Sequence, residues 1–309
     1  MKTIGLLAMM LLLATAATAQ PLVGYPDRLD TAVVHNYRMV YHDSRTFGPP
    51  VVLVHGLGTN LSIWREVIPR LATQARVLAP DLPGFGLSDK DGVPATPSFY
   101  ADVLAAWLDT LQLTQVDVVG LSMGGQIALM MALRHPNRIR RLVLAAPAGI
   151  ETFTPEAAAQ LKALFTAEAI ASMPAALYEQ NVRRNFARWN PDRFGWLLTQ
   201  RAQMQECPDF RAYAEANARA VAGMLDEPVF EHLPQVQHPV LVVFGENDLL
   251  IPNRFFRPAE TPADMLRLAL ERLPNAQGVM LPEAGHLLVL EQAEAFVAQV
   301  RRFLFAPED

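Results

Sequence analysis

Three residues of this chain have the types and the spacing to do covalent chemistry together: a serine set between glycines, an aspartate and a histidine. Ser122 stands in Gly120-Leu121-Ser122-Met123-Gly124-Gly125, directly after an apolar run over 116–121 and before residues 126–133, which are rich in helix formers. Gly-x-Ser-x-Gly between a strand and a helix is a sharp turn that lifts the serine hydroxyl clear of the backbone. Bulky residues at 120 and 124 would clash in so tight a turn, and the helix start beneath Ser122 favours negative charge there. A serine hydroxyl is a weak nucleophile at neutral pH, so it needs a base within hydrogen-bond reach and a carboxylate to orient that base. Ser122, Asp248 and His286 supply these in the order Ser, Asp, His, each expected where a strand hands over to a loop. The chemistry open to such a set is acyl transfer through a serine-bound intermediate.

Other residues compete for two of the roles. Of the seven histidines, His55 precedes the serine in a His-Gly loop, and His135 ends a helix beside Pro136-Asn137. His232 and His238 precede a strand rather than follow one, while His35 and His42 fall in an expected edge-strand region. For the acid, Glu246 shares the loop of Asp248. Asp81 sits in a Pro-Gly turn that aspartates shape by accepting local backbone hydrogen bonds. The loop after the strand ending at Ala146 offers no aspartate and only Glu151 further on. His286 and Asp248 are preferred. A tetrahedral oxyanion also needs donors, and the backbone N–H groups of Met123, after the nucleophile, and Leu57, in the loop after 51–54, are the candidates.

These residues must be positioned by elements, and the pattern shows which. Residues 31–43 alternate as an antiparallel strand pair at a sheet edge does. Short continuous apolar runs at 51–54, 76–79, 116–121, 142–146 and 240–244 read as fully buried strands, with a further strand over 276–281. Between them lie amphipathic stretches over 62–71, 97–111, 262–272 and 291–305, read as helices, the second opening at Thr96-Pro97. Strands alternating with helices imply a parallel sheet covered on both faces. Residues 151–235 break the rhythm: proline-started helices at Pro155, Pro174, Pro191 and Pro208, rich in alanine and aromatics, with no strand pattern. Such an insertion is expected to cap the strand ends, where α/β ligand sites lie.

The 309 residues are 51% hydrophobic with a net charge of −5, enough for a large core and without the basic field that nucleic acid requires. The first 19 residues have a lysine at position 2, an apolar run over 4–14 and Ala17-Thr18-Ala19 before Gln20, the pattern of a cleavable export signal. The expected organisation is therefore a signal peptide over 1–19, a core over 20–150 and 236–309, and a helical cap over 151–235. Export to a periplasm or beyond is expected, with no stable membrane insertion after cleavage. The single Cys207 has no partner for an internal disulfide.

Taken together, His55-Gly56-Leu57-Gly58, the run 81–88, Gly120-Leu121-Ser122-Met123-Gly124-Gly125, Gly245-Glu246-Asn247-Asp248 and Gly285-His286 make the chain resemble the α/β-hydrolase superfamily over about residues 30–305. The resemblance implies an α/β-hydrolase fold: a mostly parallel eight-stranded sheet with helices on both faces and an inserted helical cap. It also implies two-step hydrolysis of a small-molecule ester with no metal or organic cofactor. Epoxide hydrolases and haloalkane dehalogenases place an aspartate at the turn, which Ser122 argues against. Hydrolases that cleave carbon–carbon bonds of ring-fission products share the Ser-Met-Gly-Gly turn, but usually carry a tryptophan soon after the histidine, where this chain has Leu287-Leu288-Val289-Leu290. The expectation is an exported serine carboxylesterase for small to medium apolar esters, with the carbon–carbon hydrolase or a cofactor-free perhydrolase as alternatives. Phe85, Trp189, Leu287 and Leu288 are the expected pocket residues.

Overall fold

The computed structural model describes residues 22–306. The export signal expected over 1–19 lies outside the described residues. Eight strands form one sheet: β1 (Asp30–Val34), β2 (Tyr37–Asp43), β3 (Pro50–Val54), β4 (Arg76–Pro80), β5 (Val116–Leu121), β6 (Ile139–Ala145), β7 (Val240–Gly245) and β8 (Ala276–Leu281). Their spatial order is β1-β2-β4-β3-β5-β6-β7-β8. β1 and β2 form an antiparallel hairpin, and β2 also runs antiparallel to β4; all other pairings are parallel. The expected edge pair over 31–43 is thus present, closed by His35 and Asn36 at positive φ.

The central strands are apolar because both of their faces are covered. β5 and β7 are buried at every position, β3 at all but its first. The exception in composition is Asp117 in β5, whose carboxylate is paired with the Arg140 guanidinium of β6. Trp64, Trp107, Tyr100, Phe85 and Phe244 anchor the packed layers around the sheet.

One expected helix is interrupted. Residues 62–71 form a 3₁₀ turn (Leu61–Trp64) and a short helix (Ile68–Leu71), because Asn60 caps the first turn tightly and Pro69 fits only at the start of a new one. The expected last helix runs over Ala293–Phe305, preceded by a short helix Leu288–Glu291 from which Gln292, whose ψ of 43° is not helical, separates it. The helix over Pro97–Thr110 starts as expected, with the Thr96 hydroxyl accepting from the Phe99 N–H.

Between β6 and β7 the described residues hold helices and no strand: Pro155–Leu164, Ala167–Ala171, Ala175–Arg183, Pro191–Phe194, Trp196–Gln205 and Phe210–Asp226, then a 3₁₀ segment over Phe230–Gln235. Thr154, Thr166 and Asn190 side chains cap three of them. This layer is fastened to the sheet layer by polar contacts. Gln126 donates to the Met224 and Glu227 carbonyls, Tyr213 to the Gly58 carbonyl, and Asn60 to the Gln200 side chain. Among the described residues, no helix is long and apolar enough to cross a membrane.

Candidate active site

Parallel register brings the strand ends to one rim. Val54 pairs with Gly120, Leu121 with Ala145, Ala145 with Val243, and Gly245 with Leu281. The loops that follow β3, β5, β7 and β8, carrying Leu57, Ser122, Asp248 and His286, therefore leave the sheet on the same side.

Ser122 adopts φ 53°, ψ −117°, a sparsely populated conformation for any residue with a side chain. It is held there by its neighbours. The Ser122 N–H donates to the Ala145 carbonyl at 2.9 Å, and its own carbonyl accepts from Gly125 and Ala148 at 2.8 and 3.0 Å. A Cβ at Gly120 would overlap the Gly124 carbonyl, and one at Gly124 would overlap the Val54 carbonyl. The turn thus excludes side chains at both positions, as its spacing implied.

His286 and Asp248 are joined. His286 Nδ1 lies 2.8 Å from Asp248 Oδ2, with the side chains only 5% and 0% exposed. The other carboxylate oxygen, Oδ1, accepts from the Leu250 and Ile251 N–H groups at 2.7 and 3.0 Å. An acceptor fixed in this way requires the proton on Nδ1, which leaves Nε2 as the basic nitrogen. Ser122 and His286 line one cavity without a hydrogen bond between them.

The competing residues are occupied elsewhere. His55 is fully buried; its Nε2 accepts from the Leu82 N–H at 3.1 Å and its Nδ1 lies 2.9 Å from the Gly56 carbonyl. Burial lowers its pKa to about 4, so it braces the Leu57 loop as a neutral ring. Asp81 accepts from the Leu61 and Leu87 N–H groups and the Tyr25 hydroxyl, each at 2.7 Å, and burial raises its carboxyl to about 6. It shapes its turn. Glu246 is exposed. Among the described residues, neither the Leu57 nor the Met123 N–H has a hydrogen-bond partner.

The cavity of about 530 Å³ is of ordinary size for a small-molecule site. It is lined by Leu57, Ser122 and His286 from the loops at the strand ends, by Leu161, Phe165, Val221 and Met224 from the helical segment, and by Phe153 and Ile251. No lysine or arginine lines it, whereas Glu151 and Glu231 do.

Four expected pocket residues do not reach this cavity. Phe85 is fully buried against His55, Tyr100 and Tyr213. Trp189 packs on Phe186 and Phe194 beneath the Arg183 guanidinium. Leu287 and Leu288 are core residues under the His286 loop. Of the aromatic side chains of 151–235, Tyr178, Phe210 and Tyr213 surround the Arg201 guanidinium, while Phe153, Phe165 and Phe230 line the cavity.

Glu291 escaped notice in the sequence. Its Oε2 accepts from the Gly285 and Ala187 N–H groups at 2.8 and 3.0 Å, and its Oε1 from Arg188 at 2.7 Å. It thereby ties the His286 loop to the helical segment, assisted by a 3.0 Å bond from the Leu287 N–H to the Asn185 carbonyl. A buried acid one turn beyond a histidine loop was its only sequence signal.

A family model for the alpha/beta hydrolase fold matches residues 49–293. The chain belongs to this family. It is 32% identical over 286 residues to the 2-hydroxymuconate semialdehyde hydrolase of Pseudomonas sp. (strain CF600), covering 85% of this chain and 89% of that one. Among solved structures, a probable hydrolytic enzyme from Pseudomonas aeruginosa PAO1 superposes with a TM-score of 0.79 at 25% identity, over 91% and 95% of the two chains. The enol-lactonase from Burkholderia xenovorans LB400 gives 0.73 at 28% identity, over 90% and 100%. The protein is a hydrolase of this family.

Proposed function

We propose that the protein hydrolyses uncharged, largely apolar carboxylic esters or lactones through an acyl-serine intermediate. The observation that carries this reading is a mostly apolar cavity lined by both Ser122 and the Asp248-linked His286, with no cationic side chain in its wall.

In this reading Ser122 Oγ attacks the acyl carbonyl while His286 Nε2 takes the hydroxyl proton. Asp248 holds the imidazole through Nδ1–H and stabilises the imidazolium. Charge gathers on the former carbonyl oxygen, which the Leu57 and Met123 N–H groups receive; one such donor is worth about 10²–10³ in turnover. Collapse expels the alkoxide, protonated by His286. A water deprotonated by the same Nε2 then releases the acid and restores Ser122.

A second reading, hydrolysis of a carbon–carbon bond in a ring-fission product, is the one the names of the relatives favour over the ester reading. They are the 32% identical 2-hydroxymuconate semialdehyde hydrolase and a 31% identical 2-hydroxy-6-oxo-2,4-heptadienoate hydrolase of Pseudomonas putida. Against it stand Leu287-Leu288-Val289-Leu290 after the histidine and the cavity's lack of a cation for an acidic dienoate. Arg188, the cap arginine beside Trp189, turns outward to Glu283 at 3.0 Å.

Purified protein should hydrolyse p-nitrophenyl hexanoate, and Ser122→Ala should lose that activity by about 10⁴-fold or more while keeping its fold by circular dichroism. Retained turnover in the variant removes the nucleophile, and turnover of a dienoate ring-fission product but not of the ester favours the second reading. Export through residues 1–19 belongs to the same proposal; mature protein beginning at Gln20 in a periplasmic fraction would support it, and an intact Met1 in the cytosol would refute it.

A further inference from the structure

Glu151 is the one carboxyl in the cavity wall that the proposed reaction leaves unused while burying it. Its side chain is 6% exposed. It follows β6 at the point where the chain turns into the helical segment, and it faces the space shared by Ser122 and His286. Oε1 accepts from the Asn253 N–H at 2.7 Å. Oε2 takes no hydrogen bond from any described residue. Arg257 is close, with Nε 3.8 Å from Oε1, but its donors are committed elsewhere. Nη1 binds both Glu260 oxygens at 2.6 and 2.8 Å, and Nε and Nη2 bind Thr152.

The charged groups around Glu151 compensate it only in part, through Arg257 at 3.8 Å. From the β7 loop comes Asp248, from the following loop the Arg257–Glu260 pair, and Glu231 with His232 line the wall from the 3₁₀ segment after the long helix. His286 lines the same cavity. One arginine faces several carboxylates and is already paired. Burial accordingly raises the Glu151 carboxyl to about 7, with the Asn253 N–H and Arg257 opposing the rise. A second carboxylate brought into this space would meet a like charge with no cation at the wall to receive it.

We infer that Glu151 is a specificity-determining residue: its unpaired oxygen limits the site to substrates without a carboxylate on the acyl chain. The inference rests on the ester reading for its substrates but not for its test. As Glu151 loses its proton, exclusion of anions should strengthen. His286 and His232 also face this space, so Glu151's share is the part of the pH dependence that disappears when its charge is removed.

The test uses two matched pairs. The first is p-nitrophenyl hexanoate and p-nitrophenyl hydrogen adipate, compared by the ratio of kcat/KM so that a general change in turnover cancels. Between about pH 5.5 and about pH 8.5 the adipate-to-hexanoate ratio of wild type should fall roughly tenfold further than that of Glu151→Gln. The second pair, 2-heptanone and 6-oxoheptanoate, is not hydrolysed and is followed by NMR titration. Wild type should prefer the neutral ketone increasingly as pH rises, and Glu151→Gln less so. Should wild type cleave neither ester, the ester reading falls and the ketones alone judge Glu151. The inference is overturned if Glu151→Gln and wild type share the same ratios at every pH. It is equally overturned if the wild-type ketone preference does not grow with pH, a result that needs no variant to fold.

Discussion

Removal of the Glu291 carboxylate should loosen the loop that carries His286. Three N–H groups, that of Gly285 in a buried bond and those of Ala187 and Arg188 in partly buried ones, end on its two oxygens at 2.7 to 3.0 Å. A hydrogen bond to a charged acceptor contributes about 1.5–3 kcal/mol net. In Glu291→Ala all three donors lose their acceptor, but water entering the vacated space restores part of the loss, so about 3–4 kcal/mol is expected rather than the full sum. Glu291→Gln keeps the shape. Its carbonyl can take the two donors that share Oε2, while its amide then meets the Arg188 N–H donor to donor, for a cost of about 1.5–2.5 kcal/mol. Gly285 adjoins His286, so the imidazole also gains freedom. Misplacement of a catalytic group by about 1 Å can cost ~10²-fold, and a fall in kcat of about ten- to a hundredfold is expected in Glu291→Gln. KM should move much less, because Glu291 does not line the cavity. Urea denaturation and steady-state ester kinetics well below the melting temperature measure the two effects separately. A stability loss with kcat unchanged would refute the positioning argument, and stability within about 0.5 kcal/mol of wild type would refute the hydrogen-bond clamp itself.

Two further outcomes follow from the cavity wall. Glu151 has a folded pKa of about 7 against an ordinary 4.5, so the folded chain holds the proton more tightly than the unfolded one. Stability is therefore greatest below about pH 4.5 with respect to this group and falls as pH rises to and through 7. Glu151→Gln should gain roughly 2–3 kcal/mol relative to wild type between about pH 4 and about pH 8.5, read from urea midpoints; no change of the difference with pH would show that the carboxyl is not buried as described. Met224→Trp fills space at the wall supplied by the helical segment and should cut kcat/KM for a decanoyl ester about tenfold relative to a butanoyl ester, whereas an unchanged chain-length profile would place the acyl group elsewhere.

The sheet and the order of its loops were legible because buried parallel strands write themselves as short apolar runs and each ends in glycine or a polar turn. His286 could be chosen over most other histidines because those sit at strand starts, a helix end or an edge strand. His55 and Asp81 also follow strands, so that chain order and turn chemistry alone count against them, and Glu246 shares the very loop of Asp248. The pocket was not legible. Phe85 and Trp189 are large and near the right loops, yet their rings are consumed by lateral contacts with His55, Tyr213, Phe186 and Phe194 that no local pattern encodes. The wall is built instead from Leu161, Val221, Met224 and Phe153, ordinary apolar types whose orientation depends on how the helices cross. The role of Glu291, and that of Glu151 as a wall residue rather than a candidate acid, were illegible for a related reason: each accepts backbone N–H groups from segments about a hundred residues away.

Those long-range bonds make the helical segment part of the catalytic frame. Gln126, on the helix that begins beneath Ser122, donates to the Met224 and Glu227 carbonyls at the end of the helix that walls the cavity. Glu291 and Asn185 fasten the His286 loop to the middle of the same inserted segment. Glu151, where the segment leaves β6, holds Asn253 in the loop after Asp248. The carriers of serine, aspartate and histidine are thus each bonded to the segment that shapes the substrate space. A displacement of that segment as a whole would strain all three connections, so substrates of different length are accommodated at less cost by rotamers of Met224, Leu161 and Phe165 than by lifting the helices. On the ester reading, fit of the acyl chain and alignment of the reacting groups would therefore be set together, through these bonds, by the segment and the loops it is tied to.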